Sequence, residues 1–261
     1  MTRVGCQGCR DGAPLPFEFT MAFQPIVDVS ENRIWGYEAL VRGTEGQGAG
    51  WVLGQVDDTN RYKFDQACRV KAIELAASLF PDAETRLSIN FMPNAVYEPA
   101  ACIRATLDAA RRTGFAHRQI MFEFTENERM LDVAHVQQII AEYRKHGFVT
   151  ALDDFGAGYA GLNLLASFQP DLIKLDMELI RGIATSPARQ TIIAAVTMMA
   201  RELGVTVLAE GIESEAELVA LRATGIRLFQ GYHFAKPAIC ALPSVRRITA
   251  EGLDPTFRQA V

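Results

Sequence analysis

The sequence has no long hydrophobic run, since no stretch of about 18 consecutive apolar residues occurs in it. A transmembrane helix needs roughly 20 such residues, so we expect no membrane span. The first 16 residues also lack the apolar centre of a secretory signal peptide, because glycines and prolines interrupt them. Both absences favour a cytoplasmic protein.

Histidine and cysteine are scarce. The four histidines show no metal-ligand spacing, which argues against a histidine-based metal site. The five cysteines are an odd number in a chain too long to need disulfide bonds, which favours a reducing cytoplasm. Cys6 and Cys9 form a CxxC pair, but no second pair or nearby histidine completes a zinc site. We interpret them as free thiols in a tail.

Positive charge is also in short supply. The net charge is -5 and no basic stripe appears, which argues against a nucleic-acid polymer as partner. A small anionic ligand stays compatible if metal ions supply positive charge. The content of 49% hydrophobic and 22% charged residues is typical of a globular protein with a full core.

Short apolar strands alternate with helix-type patterns, which predicts repeated βα units and a mostly parallel sheet. The predicted strands are 19–28, 34–41, 86–91, 119–125, 148–153, 172–176, 206–210 and 228–232. The predicted helices are 60–80, 99–113, 132–146, 187–203 and 214–223, with a short one at 160–168. Eight strands with these helices favour an α/β fold of the (β/α)₈, or TIM-type, barrel class.

The first two predicted strands depart from a regular barrel. Only the residues from Val29 to Arg33 separate them, too few for a helical crossover, so we expect an antiparallel first strand pair. The prediction is therefore a modified barrel. We expect residues 1–16 to form a flexible tail, 17–237 the barrel domain, and 238–261 a peripheral segment.

Asp153 and Asp154 follow the apolar run 148–152. Two carboxylates 4 Å apart repel by roughly 4 kcal/mol at an effective dielectric constant of about 20. A protein keeps such a pair at a strand end mainly when a cation sits there. One such pair is a weak indication of a metal site, and a ring of acids at successive strand ends is a strong one.

Other polar residues also lie in or directly after predicted strands. In a barrel the carboxyl ends of the parallel strands meet at one face. That geometry brings together Glu38, Asn90, Glu123, Asp153, Asp154, Lys174, Glu210 and Gln230. Carboxylate and amide oxygens are the ligands of hard divalent cations, so the ring predicts Mg²⁺ or Mn²⁺, with room for two ions.

Two of these residues, Lys174 and Glu210, and the nearby Glu213 have alternative interpretations. Lys174 lies in an apolar strand and could simply extend out of the sheet into solvent; the surrounding acids favour a role in orienting water or a phosphate oxygen. Glu210 is placed to be a metal ligand or a general base. Glu213 could support the site or cap the helix that begins near Ser214.

Eight ordered motifs resemble the EAL family of cyclic di-GMP phosphodiesterases. They are Glu38-Ala39-Leu40 followed by Arg42, Ile89-Asn90, Glu123-Phe124-Thr125-Glu126, Asp153-Asp154-Phe155-Gly156, Ala157-Gly158-Tyr159, Lys174-Leu175-Asp176, Glu210-Gly211-Ile212-Glu213 and Gln230-Gly231-Tyr232. The match covers about residues 19–237. It implies a metal-dependent phosphodiesterase that hydrolyses cyclic di-GMP to linear 5′-pGpG by in-line attack of a metal-activated water, and a homodimer.

The resemblance also implies a role for each residue. Metal binding falls to Glu38, Asn90, Glu123, Asp153 and Asp154, with Asp153 bridging two Mg²⁺ or Mn²⁺ ions. Lys174 and Glu210 position and deprotonate the attacking water. Substrate binding falls to Gln24, Leu40, Arg42, Asp176 and Gln230. Glu126 anchors the loop after Asp154, and Glu213 supports the site from its rim.

Other functions stay open at this point. Some members of the family have lost metal ligands and act as cyclic di-GMP receptors or protein-interaction modules, and a phosphodiesterase for another nucleotide has the same ligands. The stretch 156–161 also fits the G-x-G-x-x-G pattern of dinucleotide-binding proteins. The two aspartates just before it would repel a pyrophosphate, which argues against that last alternative.

Overall fold

The computed structural model describes residues 14–125, 133–158, 161–245, 247–249 and 252–254. Within these ranges the strands are β1 (Thr20–Asp28), β2 (Arg33–Arg42), β3 (Arg86–Asn90), β4 (Ile120–Thr125), β5 (Val149–Phe155), β6 (Leu172–Leu175), β7 (Thr206–Ala209), β8 (Leu228–Gln230), β9 (Ala238–Ile239), β10 (Arg247–Thr249) and β11 (Gly252–Asp254). Strands β1 to β8 form a closed barrel, since β1 pairs with both β2 and β8. The predicted α/β barrel is confirmed, and its closed sheet differs from the open sheet of a dinucleotide-binding fold.

One strand of the barrel runs opposite to the others. Strand β1 is antiparallel to β2, which confirms the predicted first pair, and it is also antiparallel to β8. The remaining neighbours from β2 to β8 are parallel. Strand β9 pairs with β1 outside the ring, and β10 pairs with β11. The reversed strand lies next to β2, so residues of both line the barrel together.

The helices surround this sheet. They are α1 (Ala49–Leu53), α2 (Arg61–Leu79), α3 (Pro99–Cys102), α4 (Arg104–Thr113), α5 (Val133–Lys145), α6 (Gly161–Ser167), α7 (Met177–Ile180), α8 (Pro187–Glu202) and α9 (Glu215–Arg222). The helix predicted at 99–113 is divided at Ile103, whose amide bonds back to the carbonyl of Pro99. Helices α1 and α7 are too short to show a helical period, which is why the sequence pattern did not predict them. In the part of the chain that the structure describes, no helix is long and apolar enough to cross a membrane.

The apolar residues form two separate cores. The larger one lies between the outer face of the sheet and the helices. The smaller one fills the barrel interior and contains Ile26, Trp35, Met121, Ala151, Leu172, Leu208 and Leu228. Because side chains alternate between the two faces of a strand, the polar residues that point inward must lie beyond this inner core.

A buried ion pair connects α2 to its neighbours. Arg69 is fully buried, and its Nη2 lies 2.7 Å from Asp65 Oδ2. Its Nη1 donates a hydrogen bond of 2.5 Å to the hydroxyl of Tyr143 on α5, and its guanidinium lies over the ring of Phe91. Asp65 Oδ1 in turn accepts a hydrogen bond of 3.0 Å from the amide of Met92, just after β3. Each charge therefore has a partner away from water.

We predict that Arg69→Met destabilises the fold by about 3–5 kcal/mol, because it leaves the Asp65 carboxylate buried and unpaired. Urea unfolding measures the change in the free energy of unfolding. The control is Arg112→Met, which removes an exposed ion pair with Glu74 and is expected to cost less than about 1 kcal/mol. Equal, small effects of both substitutions would contradict the prediction.

Candidate active site

The inner core and the polar layer above it follow one pattern along the strands. On five parallel strands a polar residue lies two positions beyond an inner-core residue: Met121 and Glu123, Ala151 and Asp153, Leu172 and Lys174, Leu208 and Glu210, Leu228 and Gln230. Residues two apart on a strand share a face. The reversed strand β1 follows the same rule in the opposite direction, with Gln24 two positions before Ile26. The polar side chains therefore share the interior of one end of the barrel.

Lys174 lies at the centre of this layer and is 1% exposed. Its Nζ lies 2.5 Å from Glu210 Oε1, 2.7 Å from Glu123 Oε2, 3.1 Å from Asp153 Oδ1 and 3.5 Å from Glu38 Oε2. Burial alone would lower the pKa of Lys174, but these carboxylates raise it well above its usual value. The lysine is thus a fixed positive charge inside the barrel and does not extend into solvent.

Glu38 is held by two amides as well as by the lysine. Its Oε1 accepts a hydrogen bond of 2.8 Å from Asn90 Nδ2, and its Oε2 accepts one of 2.7 Å from Gln230 Nε2. Burial would raise the pKa of Glu38, but Lys174 and these hydrogen bonds bring it below its usual value. Glu38 lies within β2 opposite Gln24 of β1, not at the end of the strand. Its side chain points into the barrel interior from within the strand.

The other acids carry more negative charge than one lysine balances. Burial raises the pKa of Glu123 to about 8, despite Lys174, and the nearby Glu38 and Asp153 add to the rise. Burial and the neighbouring Asp153 raise the pKa of Asp154 to about 6. The pKa values of Asp153 and Glu210 are also raised, chiefly by burial. Such a site favours added positive charge.

The fit to a cation is best around the aspartate pair. Single carboxylate oxygens of Asp153, Asp154 and Glu210 all lie within 4.8 Å of one another. Asp154 adopts a left-handed backbone, with φ of 54°, which aspartate tolerates better than most residues. Its amide donates a hydrogen bond of 2.9 Å to Asp153 Oδ1. These oxygen ligands suit Mg²⁺ or Mn²⁺, and the surrounding negative charge is the physical reason why a cation fits.

The other residues predicted to contact substrate are Gln24, Leu40, Arg42 and Asp176. Leu40 and Arg42 are half-buried on β2, and Arg42 Nη1 donates a hydrogen bond of 2.7 Å to the carbonyl of Val41. Asp176 caps α7 by accepting a hydrogen bond of 2.8 Å from the amide of Glu178. Gln24 Oε1 accepts a hydrogen bond of 3.2 Å from Gln230 Nε2. The structure places these side chains near the polar layer but assigns them no ligand.

Two further predictions concern Glu213 and Glu126. Glu213 is exposed, and its carboxylate lies 2.9 Å from Arg181 Nη2. The cap of α9 is Ser214, whose hydroxyl accepts a hydrogen bond from the amide of Glu217, so Glu213 is not the cap. Glu126 lies outside the described residues, and its proposed role as a loop anchor stays a prediction.

Sequence reasoning missed two features of the site. The hydroxyl of Ser88 donates a hydrogen bond to Glu123 Oε1, and its place two residues before Asn90 on β3 is the signal that could have revealed it. A cavity of about 540 Å³ also lies beside Leu40 and Asn90, lined mostly by apolar residues of β2, β3, α1 and α2. Its walls come from distant parts of the chain, so no local pattern predicts it.

A family comparison agrees with this geometry. The EAL domain profile matches residues 16–237.

The chain belongs to the EAL domain family.

Relatives with curated names carry different functions. The chain is 34% identical to the blue light- and temperature-regulated antirepressor BluF of Escherichia coli, over 86% of the chain and 55% of BluF. It is 30% identical to a cyclic di-GMP phosphodiesterase of Pseudomonas aeruginosa, over 85% of the chain and 38% of that protein. The chain thus spans about half or less of the length of these EAL relatives.

Two solved structures are also similar to the chain. A standalone EAL protein from Vibrio cholerae in its cyclic di-GMP-bound form is 53% identical, with a TM-score of 0.86, over 89% of the chain and 97% of that protein. Klebsiella pneumoniae BlrP1, in a complex with manganese and cyclic di-GMP, is 36% identical, with a TM-score of 0.81. That match covers 88% of the chain and 57% of BlrP1.

We predict that Asp154→Asn raises the melting temperature of the metal-free protein by about 2–4 °C, because it removes repulsion from Asp153 worth about 1 kcal/mol. Adding Mn²⁺ should stabilise the wild type and stabilise the variant less. Differential scanning calorimetry with EDTA or with Mn²⁺ measures both effects.

The control for this comparison is Asp108→Asn, an exposed acid that pairs with Arg111 on α4. It should leave the Mn²⁺-dependent rise unchanged. A destabilised metal-free Asp154→Asn protein, or an undiminished response to Mn²⁺, would contradict the repulsion that we assign to the aspartate pair.

Proposed function

We propose that the chain is a metal-dependent phosphodiesterase that hydrolyses cyclic di-GMP to linear 5′-pGpG. The observation that carries the proposal is the buried Lys174, which lies within 3.5 Å of four carboxylates. A fifth carboxylate, Asp154, completes a group of acids around Asp153 that suits cations. A domain that only bound a nucleotide would have no need of so much concentrated negative charge.

In this proposal Glu38, Asn90, Glu123, Asp153 and Asp154 would hold one or two divalent cations. Divalent cations, Mg²⁺ or Mn²⁺, would supply Lewis acidity toward a phosphoryl oxygen and lower the pKa of water. The hydrogen bonds from Asn90 and Gln230 orient the Glu38 carboxylate, and Ser88 orients that of Glu123. Outer hydrogen bonds of this kind fix the direction of ligand oxygens.

Lys174 and Glu210 would handle the attacking water. The ammonium donates hydrogen bonds, so it can hold a water oxygen and offset the negative charge that develops on the phosphoryl group. Glu210 is the carboxylate nearest to it, and burial raises the pKa of Glu210. An ionised Glu210 would therefore be a stronger base than an exposed glutamate, and it would accept a proton from the water that attacks phosphorus. The bond between phosphorus and the 3′ oxygen would break, and the 3′ oxygen would take up a proton from solvent.

Substrate contacts would come from Gln24 and Gln230 of the polar layer and from Leu40, Arg42 and Asp176. Leu40 and Arg42 lie on β2, and Asp176 directly precedes α7. The guanidinium of Arg42 offers positive charge to a phosphate, and Gln230 Oε1 is buried without a donor among the described residues, which leaves it available to a ligand. The cavity of about 540 Å³ beside Leu40 is within the size range of small-molecule sites. We also propose that the protein forms a homodimer.

A second candidate is a non-catalytic receptor or protein-interaction module. It is favoured by the 34% identity to BluF, which is named an antirepressor. A receptor would bind cyclic di-GMP without turnover, whereas a protein-interaction module would require neither binding nor turnover.

We predict that purified protein converts cyclic di-GMP to 5′-pGpG with Mg²⁺ or Mn²⁺ and not with EDTA, as measured by chromatography. Lys174→Met should lower the rate by roughly 10²–10³-fold, because it removes the charge that stabilises the transition state. Glu38→Ala should abolish metal-dependent turnover as a second, independent variant.

The matched control is Lys145→Met, which changes an exposed lysine on α5 that pairs with Glu142. Its rate should equal that of the wild type. Cyclic di-GMP that binds in calorimetry but yields no product with either metal would refute the enzyme and leave the receptor. Turnover of another cyclic nucleotide in preference to cyclic di-GMP would refute the substrate.

A further inference from the structure

The short helix α7 lies next to the two segments that carry the candidate cation-binding acids: the end of β5, with Asp154, and the residue after β7, Glu210. The amide of Asp176, just before the helix, donates a hydrogen bond of 3.2 Å to the carbonyl of Phe155. The amide of Glu210 donates one of 3.3 Å to the carbonyl of Leu175, at the end of the preceding strand. The segment that enters α7 is therefore bonded to the end of β5 on one side and to the residue after β7 on the other.

Side chains of α7 lie against Gly156, directly after β5, and against Gly211, in the loop after β7. On the β5 side, a Cβ built on Gly156 would overlap Cδ1 of Leu179 and lie 2.9 Å from its Cγ. On the β7 side, a Cβ built on Gly211 would lie 2.5 Å from Cβ of Met177. Real Cβ atoms do not approach other carbons so closely, so an alanine at either position would force a shift. At Gly211 the obstructing atom is Cβ of Met177, which is fixed to the helix backbone, and at Gly156 the nearest atom is a terminal methyl group of Leu179.

Each of these glycines is close in sequence to an acid of the site. Gly156 lies two residues after Asp154, and Gly211 directly follows Glu210. Both glycines have left-handed backbones, with φ of 97° and 64°. A shift of Gly156 or Gly211 relative to α7 would change the distance between the carboxylates of Asp154 and Glu210. Ligand oxygens must be placed within a few tenths of an ångström to bind a small cation.

We infer that Leu179 and Met177 are positioning residues that set the spacing between Asp154 and Glu210 for a divalent cation. This inference rests on the cation site of the proposed function. The residues touch neither the cation nor the substrate; they act through the glycine contacts. Because packed contacts resist compression, crowding at either glycine is transmitted to the carboxylates next to it.

The test is Mn²⁺ binding without nucleotide, followed by the electron paramagnetic resonance signal of free Mn²⁺. Gly211→Ala should weaken Mn²⁺ binding about tenfold, in the range for substitutions that disturb the support of metal ligands. Adding Met177→Gly removes the crowded Cβ, so the nearest remaining atom of residue 177 is Cα at 3.4 Å, and the double variant should regain most of the affinity. Gly156→Ala combined with Leu179→Ala provides a second pair with the same logic.

The matched control is Gly114→Ala. Gly114 has a φ of 72° but no atom within 4 Å of a built Cβ, so alanine there meets the same backbone strain without crowding. Its Mn²⁺ affinity should equal that of the wild type. Melting temperatures measured with EDTA identify any variant that has lost its fold, and the Met177→Gly pair serves where the Leu179→Ala pair is unfolded.

A double variant that binds Mn²⁺ no better than Gly211→Ala would overturn the inference, as would an equal loss in Gly114→Ala. If the wild type does not bind Mn²⁺, both the inference and the proposed function fail. If Mn²⁺ binding responds as expected but no 5′-pGpG forms, the proposed function alone fails.

Discussion

The structure of the site depends on one buried charge. Without the ammonium of Lys174, the carboxylates of Glu38, Glu123, Asp153 and Glu210 would repel one another in a space shielded from water. Burial raises the pKa values of most of these acids, and one positive charge is too little to offset that effect for all of them together with Asp154. The site is therefore held together by the lysine and still incomplete in positive charge, and this imbalance is why we assign cations to it.

The barrel places that charge by simple geometry. An apolar plug fills one part of the interior, and on β1 and five of the parallel strands the next inward-facing position is polar, so the polar layer lies directly on this apolar core. Strand β1 closes the ring in the reverse direction and brings Gln24 opposite Glu38. Water is excluded from below the site, which strengthens every electrostatic interaction within it. Outside the barrel, the buried Asp65–Arg69 pair holds the segment after β3 and so supports the strand that carries Asn90.

Much of this arrangement was predictable, because strand alternation and strand order are written in local patterns. The eight barrel strands, the antiparallel first pair and the convergence of Asp153, Lys174 and Glu210 all follow from apolar runs that end in polar residues. The sequence did not reveal α7, since four residues cannot show a helical period, nor the contacts of Leu179 and Met177 with glycines in other loops. One of its two interpretations of Glu213, as the cap of α9, was wrong, because Ser214 is the cap. The identity of a cap depends on where the helix begins to within one residue. The roles of the site residues in catalysis stay predictions.

The most direct measurement is anomalous diffraction at the manganese absorption edge from crystals grown with Mn²⁺ and no nucleotide. The account predicts a peak roughly 2.0–2.3 Å from carboxylate oxygens of Asp153 and its neighbours in the polar layer, as oxygen-ligated divalent cations require. Lys174 should keep its carboxylate contacts in the same crystals. Manganese bound only at surface acids, with the polar layer intact and free of any peak, would contradict the central claim that the excess negative charge around Lys174 is a cation site.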